Sequence, residues 1–212
     1  MDKRFCIFDM DGTLVDSMPI WKSLSRDYLQ ARGHHPTQAQ LDAMGPMTML
    51  EGAAFLMDTF GVEGPPERII AEMHAVMEAH YRTDIPLKLG VRAYLERLRG
   101  EGAKLCVATA TAEPLAQACL ERLEVAGYFD FILSCETVGA GKTKPDVYLE
   151  AARRLGACPA DTAVFEDALY AAQTAREAGF YVVGIPEAAY QDDWPALEEL
   201  ADETILDWRK AL

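Results

Sequence analysis

Short apolar runs alternate with longer stretches of helical periodicity along most of the chain. The apolar runs, which are predicted to be strands, cover residues 4–8, 104–109, 131–134, 163–165, 181–185 and 204–206. Apolar residues at three- and four-residue spacing predict helices at 91–99, 114–123, 146–155 and 169–178. This alternation is typical of βαβ units, so the sequence predicts an α/β fold with a parallel sheet and helices on both faces.

The alternation is interrupted between residues 17 and 86. Helices are predicted there at 20–31, 38–43, 49–60 and 66–82, with no convincing strand. Turn-forming residues stand at both ends of this segment, Pro19 near its start and Pro86 with Gly90 near its end. The sequence therefore predicts an all-helical insert at 17–86 within a core made of residues 1–16 and 87–212.

Composition narrows the setting in which the protein works. The 212 residues include 34 acidic side chains against 20 Lys and Arg, a net charge of −14, which would repel nucleic acids and anionic membranes. Five widely spaced cysteines without a CxxC pair favour a reducing compartment over a disulfide framework or a zinc site. The apolar run before Asp9 is too short for a signal peptide, and no stretch approaches the roughly 18 apolar residues of a membrane span. We therefore expect a cytoplasmic protein with neither a nucleic-acid nor a membrane partner.

An acidic pair follows the first predicted strand. Asp9 and Asp11 are two positions apart, so both can face one pocket where the strand ends, which is where α/β sheets bind ligands. Two close carboxylates repel each other unless a cation or a shared proton intervenes, and Mg²⁺ prefers such oxygen ligands. A simple Asp-x-Asp-Gly turn is the alternative, which the preceding apolar strand weakens.

Two later strands also end in residues that could bind a phosphate or a cation. Thr109 lies between an apolar strand and a predicted helix, so its hydroxyl and the neighbouring backbone N–H groups can face a phosphate. Glu166 and Asp167 follow the strand at 163–165, where an acidic pair would be costly without a cation.

Four motifs in this order resemble those of the haloacid dehalogenase superfamily. They are Asp9-Met10-Asp11-Gly12-Thr13-Leu14-Val15-Asp16-Ser17, Val107-Ala108-Thr109-Ala110-Thr111, Gly141-Lys142-Thr143-Lys144-Pro145-Asp146-Val147-Tyr148 and Phe165-Glu166-Asp167-Ala168. Together they span nearly the whole chain. The resemblance implies a Rossmann-like catalytic core, and a helical cap that closes over the site and excludes water.

The resemblance also implies which residues handle the phosphoryl group. Asp9 would be the nucleophile and Asp11 the general acid and base. The phosphoryl oxygens would be held by the Thr109 hydroxyl, the Ala110 backbone N–H and Lys142. The third motif departs from the common Lys-Pro-x-Pro-Asp; counting back four residues from Asp146 favours Lys142 and leaves Lys144 as the alternative.

The same resemblance implies a Mg²⁺ site. Its ligands would be Asp9, the backbone carbonyl of Asp11, and Asp167. Glu166 would be a second ligand from the fourth motif or would hold a metal-bound water.

The resulting prediction is a Mg²⁺-dependent phosphatase of a small phosphomonoester, such as a sugar or polyol phosphate. A phosphohexomutase is the main alternative, but relatives with that activity carry a cap histidine where this chain has Trp21 and Lys22. Asp11 disfavours a dehalogenase or phosphonate hydrolase, and a phospho-accepting signalling module would be shorter and lack the insert. The loop at 44–49 contains methionines but no Arg or Lys, so no second anionic group on the substrate is anticipated, unless these methionines simply pack the cap.

Overall fold

The computed structural model describes residues 3–44, 47 and 49–211. Within these ranges the strands are β1 (Phe5–Phe8), β2 (Lys104–Thr109), β3 (Phe131–Ser134), β4 (Thr162–Glu166), β5 (Tyr181–Gly184) and β6 (Glu203–Thr204). They form one sheet in the order β3-β2-β1-β4-β5-β6, and every neighbouring pair is parallel. The predicted α/β fold is confirmed, and the first five strands begin and end within one residue of their predicted limits.

Ten α-helices accompany the strands in the described residues. They are α1 (Met18–Gln30), α2 (Gln38–Met44), α3 (Met49–Phe60), α4 (Pro66–Thr83), α5 (Val91–Gly100), α6 (Glu113–Arg122), α7 (Cys135–Val138), α8 (Asp146–Leu155), α9 (Leu169–Glu177) and α10 (Trp194–Leu200). The helix α7 was not predicted, because a single turn is too short to show a helical period. The strand predicted at 204–206 is shorter and begins earlier, since Asp207 caps a 3-10 turn by accepting from the Arg209 N–H.

The core packs on both faces of the sheet, because successive side chains of a strand point to opposite sides. On one face, Ile7 joins a fully buried cluster with Val147 of α8 and Ala172 of α9. On the other face, Phe8 stacks on Phe165 of β4 with ring centroids 4.1 Å apart. Both faces of the central strand are therefore closed to water, as in most parallel sheets.

Residue contacts divide the chain into two compact units. The core unit runs up to Ser17 and resumes at Asp84, and the helical unit is Met18–Thr83. Ser17 and residues 84–86 thus lie with the core, whereas the prediction assigned them to the insert. Backbone pairing explains the difference, since the Asp16 N–H donates to the Pro86 carbonyl at 2.9 Å.

The helical unit has an apolar interior of its own, which includes Leu24, Leu56 and Met77. A polar contact joins its first and last helices, where the Tyr28 hydroxyl donates to Glu72 Oε2 at 2.6 Å. Of the loop at 44–49, for which a role in specificity is predicted, residues 45, 46 and 48 lie outside the described residues.

In the described part of the chain, every helix is either too short or too polar to cross a lipid bilayer.

Two glycines with left-handed backbones provide a test of how the core packs at its C-terminal end. A Cβ at Gly90 (φ +95°) would lie 2.6 Å from the Arg209 backbone nitrogen, whereas one at Gly102 (φ +82°) would meet nothing within 4 Å. Gly102→Ala should therefore lose about 1 kcal/mol of unfolding free energy, from backbone strain alone. Gly90→Ala must also displace the turn that contains Arg209 and should lose about 2–3 kcal/mol. Urea unfolding measures both values, and equal losses would contradict this packing.

Candidate active site

The strand order brings distant parts of the chain to one crevice. After β1 the chain builds β2 and β3 on one side and then returns to place β4 on the other side. Such a reversal opens a crevice at the carboxyl ends of the two strands, and ligands of open α/β sheets bind there. Asp9 follows β1, and its N–H donates to the Phe165 carbonyl of β4 at 3.0 Å. Glu166, the last residue of β4, and Asp167 therefore lie beside Asp9.

Asp9, Glu166 and Asp167 form a buried acidic cluster. One carboxylate oxygen from each residue lies within 4.8 Å of the others, and all three residues are buried. Burial, followed by the charge of Asp9, raises the pKa of Asp167 well above its usual value. Burial likewise raises the pKa of Glu166, to about 7. The cluster thus holds more negative charge than its surroundings neutralise.

Lys142 supplies positive charge inside the cluster. A turn closed by the Lys144 N–H on the Gly141 carbonyl carries it, just before α8. The buried ammonium donates to Asp9 Oδ1 and, at 2.7 Å, to Glu166 Oε1. Burial would lower the pKa of Lys142, but the two carboxylates outweigh it and raise that pKa. Lys144 is exposed, so of the two candidate lysines it is Lys142 that contacts Asp9.

Asp11 has a different environment from Asp9. Its Oδ1 accepts from the Ser17 hydroxyl and its Oδ2 from the Thr111 hydroxyl, both at 2.7 Å. The Asp11 side chain accordingly lies among hydroxyl groups and is not part of the acidic cluster.

Thr109 is buried at the end of β2, beside β1. Its hydroxyl oxygen accepts from the Thr111 N–H at 3.0 Å. A hydroxyl that accepts one bond at oxygen still has its own proton to donate, which suits an anionic ligand. Ala110, the next residue, is exposed.

The acidic cluster has the donor set that a Mg²⁺ ion requires. Among the described residues, Asp9 Oδ2 and Asp167 Oδ2 are buried oxygens without a hydrogen-bond partner. Buried carboxylate oxygens are rarely left unpaired, and hard divalent cations take such oxygens as ligands. Asp167 Oδ1 already accepts from the Thr13 hydroxyl at 3.2 Å, and this bond leaves Oδ2 for the cation. Residues Asp9 and Asp167 therefore fit the ion, with Glu166 within reach.

Four supporting contacts were missed by sequence reasoning. Besides Thr13, Ser17 and Thr111, Tyr148 donates its hydroxyl proton to Glu166 Oε1 at 2.7 Å. All four residues stand inside the motifs quoted above, so their positions were visible in the sequence. The sequence carries no signal for the direction in which each side chain points.

The arrangement is suited to nucleophilic attack on a centre that carries anionic oxygens. A carboxylate beside a lysine and an expected cation can approach a phosphoryl group without prohibitive repulsion. The hydroxyl-bound carboxylate of Asp11 lies two residues further along the same loop and can exchange protons.

The sequence is similar to those of two bacterial phosphatases. The phosphorylated carbohydrates phosphatase of Thermotoga maritima is 30% identical over 173 residues, which cover 82% of this chain and 80% of that protein. Fructose-1-phosphate phosphatase YqaB of Escherichia coli is 28% identical over 84% of this chain and 94% of its own length.

A similar fold occurs among solved structures. A Thermotoga maritima protein provisionally assigned as a beta-phosphoglucomutase superposes with a TM-score of 0.81 and 26% identity, covering 98% of this chain and 95% of that one. The family model of the haloacid dehalogenase-like hydrolases matches residues 3–179. With its parallel sheet and its four motifs, three of which stand at strand ends, this chain belongs to the haloacid dehalogenase-like hydrolase family.

Proposed function

We propose that the protein is a Mg²⁺-dependent phosphatase that hydrolyses a small phosphomonoester, of the sugar- or polyol-phosphate kind, through an aspartyl-phosphate intermediate. The observation that carries the proposal is the state of Asp9, whose Oδ1 is neutralised by Lys142 while its Oδ2 is buried and unpaired beside Asp167. The names of the two curated relatives support the substrate class.

The first half-reaction transfers the phosphoryl group to the protein. A carboxylate oxygen of Asp9 attacks phosphorus, the phosphorus–oxygen ester bond breaks, and Asp11 gives its proton to the departing alcohol oxygen. Lys142, the Thr109 hydroxyl and the Ala110 N–H hold the phosphoryl oxygens. Mg²⁺ supplies charge neutralisation at the phosphoryl group when bound.

The second half-reaction returns Asp9 to its free form. Asp11, now ionised, takes a proton from water as the water oxygen attacks phosphorus. The bond between phosphorus and Asp9 breaks, inorganic phosphate is formed, and Asp11 is protonated again. The cycle therefore consumes one water molecule and needs no further reactant.

The residues proposed to hold the ion are Asp9, Asp167 and the backbone carbonyl of Asp11. Glu166 Oε1 already accepts bonds from Lys142 and Tyr148. We therefore propose that Glu166 joins the ion through its other oxygen or through a water molecule. Three carboxylates and one ammonium carry a net charge of −2 when all are ionised, which a divalent cation balances.

The phosphohexomutase alternative gains no support from residue 21. The Trp21 indole N–H donates to the Tyr81 hydroxyl at 3.2 Å within the helical unit, and an indole has no lone pair with which to accept a proton.

We further propose that the helical unit acts as the cap. The five unpaired cysteines favour a cytoplasmic location.

A phosphate-release screen with Mg²⁺ over sugar phosphates, polyol phosphates, nucleotides and phosphoglycolate tests the function. We expect release from at least one sugar or polyol phosphate, and we expect Asp9→Asn to abolish it, because an amide of the same shape cannot act as the nucleophile. Circular dichroism should show the variant folded. Activity that persists in a clean preparation of the variant would refute the mechanism.

The two nearby lysines form a matched pair for kinetics. Lys142→Ala should lower kcat/KM by about 100-fold or more, because the buried carboxylates and the phosphoryl group lose their shared cation. Lys144→Ala removes an exposed ammonium two residues away and should change kcat/KM by less than about twofold. The reverse ranking of the two variants would assign the phosphate-binding role to Lys144.

Metal dependence can be tested apart from turnover. EDTA should abolish phosphate release and added Mg²⁺ should restore it. Asp167→Asn should raise the Mg²⁺ concentration for half-maximal activity at least about tenfold, and calorimetry without substrate should show the same weakening. The exposed Asp146→Asn is the control and should leave Mg²⁺ binding unchanged. An unaltered Mg²⁺ affinity in Asp167→Asn would remove Asp167 from the metal site.

A further inference from the structure

Thr111 makes two hydrogen bonds that link two loops of the site. Its backbone N–H donates to Thr109 Oγ1 at 3.0 Å, within the turn that follows β2. Its hydroxyl donates to Asp11 Oδ2 at 2.7 Å, on the loop that follows β1 and 100 residues away in the chain. One residue thus contacts both the proposed phosphate-binding hydroxyl and the proposed acid and base.

The Thr111 hydroxyl does not cap the helix that follows it. Thr111 stands two positions before α6, where a hydroxyl could cap the helix. The N-cap of α6 is Ala112, however, and no side chain accepts a capping bond there. The Thr111 hydroxyl therefore bonds Asp11 in the site and does not cap the helix.

The two bonds fix a distance that the proposed reaction depends on. The phosphoryl group must rest against Thr109 while its ester oxygen lies within hydrogen-bond reach of Asp11. The Ser17 hydroxyl donates to the other oxygen of Asp11 at 2.7 Å. Hydrogen bonds therefore restrain both oxygens of the carboxylate. A displacement of about 1 Å in such a group can cost a factor of 10² in rate.

We propose that Thr111 is a positioning residue, which sets the orientation of the Asp11 carboxylate relative to the phosphoryl group held by Thr109. The inference rests on the proposed phosphatase function and assigns Thr111 a role in the reaction. It concerns proton transfer to the leaving oxygen rather than binding of the phosphoryl group.

Three variants test the proposal. Thr111→Val keeps the shape and the backbone N–H but loses the hydroxyl, and Thr111→Ser restores the hydroxyl. Thr137→Val is the matched control, because the Thr137 hydroxyl also donates to a carboxylate, that of Glu113, at 2.6 Å on the protein surface. The probes are fructose 1-phosphate, whose alkoxide leaving group needs a proton, and p-nitrophenyl phosphate, whose leaving group does not.

Thr111→Val should lower kcat/KM for fructose 1-phosphate by about 10- to 100-fold and for p-nitrophenyl phosphate by less than about threefold. Thr111→Ser should regain most of the loss, and Thr137→Val should match wild type. The inhibition constant of inorganic phosphate should not change. Equal losses on both esters would overturn the proposal and place Thr111 at the phosphoryl group, and no loss on either would overturn it outright.

A crystal structure of Thr111→Val supplies a readout independent of turnover. The Asp11 carboxylate should be rotated from its wild-type position, and it should be unmoved in Thr111→Ser. An unmoved carboxylate in Thr111→Val would overturn the positioning role even if neither ester were a substrate. Wild-type protein that releases phosphate from no ester would instead refute the proposed function.

Discussion

The ion pairs of Lys142 make the rest of the site possible. Removing three carboxylates from water costs several kcal/mol each unless positive charge accompanies them. The Lys142 ammonium donates to Asp9 and Glu166 together, so it offsets part of that cost for two residues at once. The remaining charge falls on Asp167 and on the unpaired oxygen of Asp9. The fold thus carries a local excess of negative charge that a divalent cation can neutralise. This excess is the physical basis of the proposed metal requirement.

The sheet provides the rigidity that such a cluster needs. Phe8 and Phe165 stack at 4.1 Å, and they are the residues directly before Asp9 and Glu166 in the chain. The two acidic side chains therefore lie at the ends of adjacent strands, which are held in register by aromatic packing and by the Asp9 N–H bond. Repulsion between the carboxylates acts against a close-packed core rather than a flexible loop. The apolar residues of the strands therefore help to hold the proposed catalytic residues in place.

The sequence predicted the strands well because apolar runs bounded by turn residues leave little freedom in a sheet buried on both faces. It also indicated that Asp9 and Glu166 stand where strands end, although it paired Asp9 first with Asp11, whose carboxylate lies outside the acidic cluster. It could not separate Lys142 from Lys144, because two lysines in one loop differ only in burial, which depends on the turn that carries them. The partners of Asp11 were hidden for a similar reason, as no periodicity reports the direction of a hydroxyl in a loop. The helix α7 escaped because a single turn has no period.

Asp9 and Asp11 are two residues apart, yet they accept hydrogen bonds from different kinds of donor. Asp9 is bonded to an ammonium, which only donates, so its Oδ1 faces a positive charge. Asp11 is bonded to the hydroxyls of Ser17 and Thr111, and a hydroxyl can either donate or accept. A carboxyl group in that setting can gain or lose a proton without leaving a neighbour unpaired. The proposed division of roles between two identical side chains therefore follows from the donors around them, as in other paired-carboxylate enzymes.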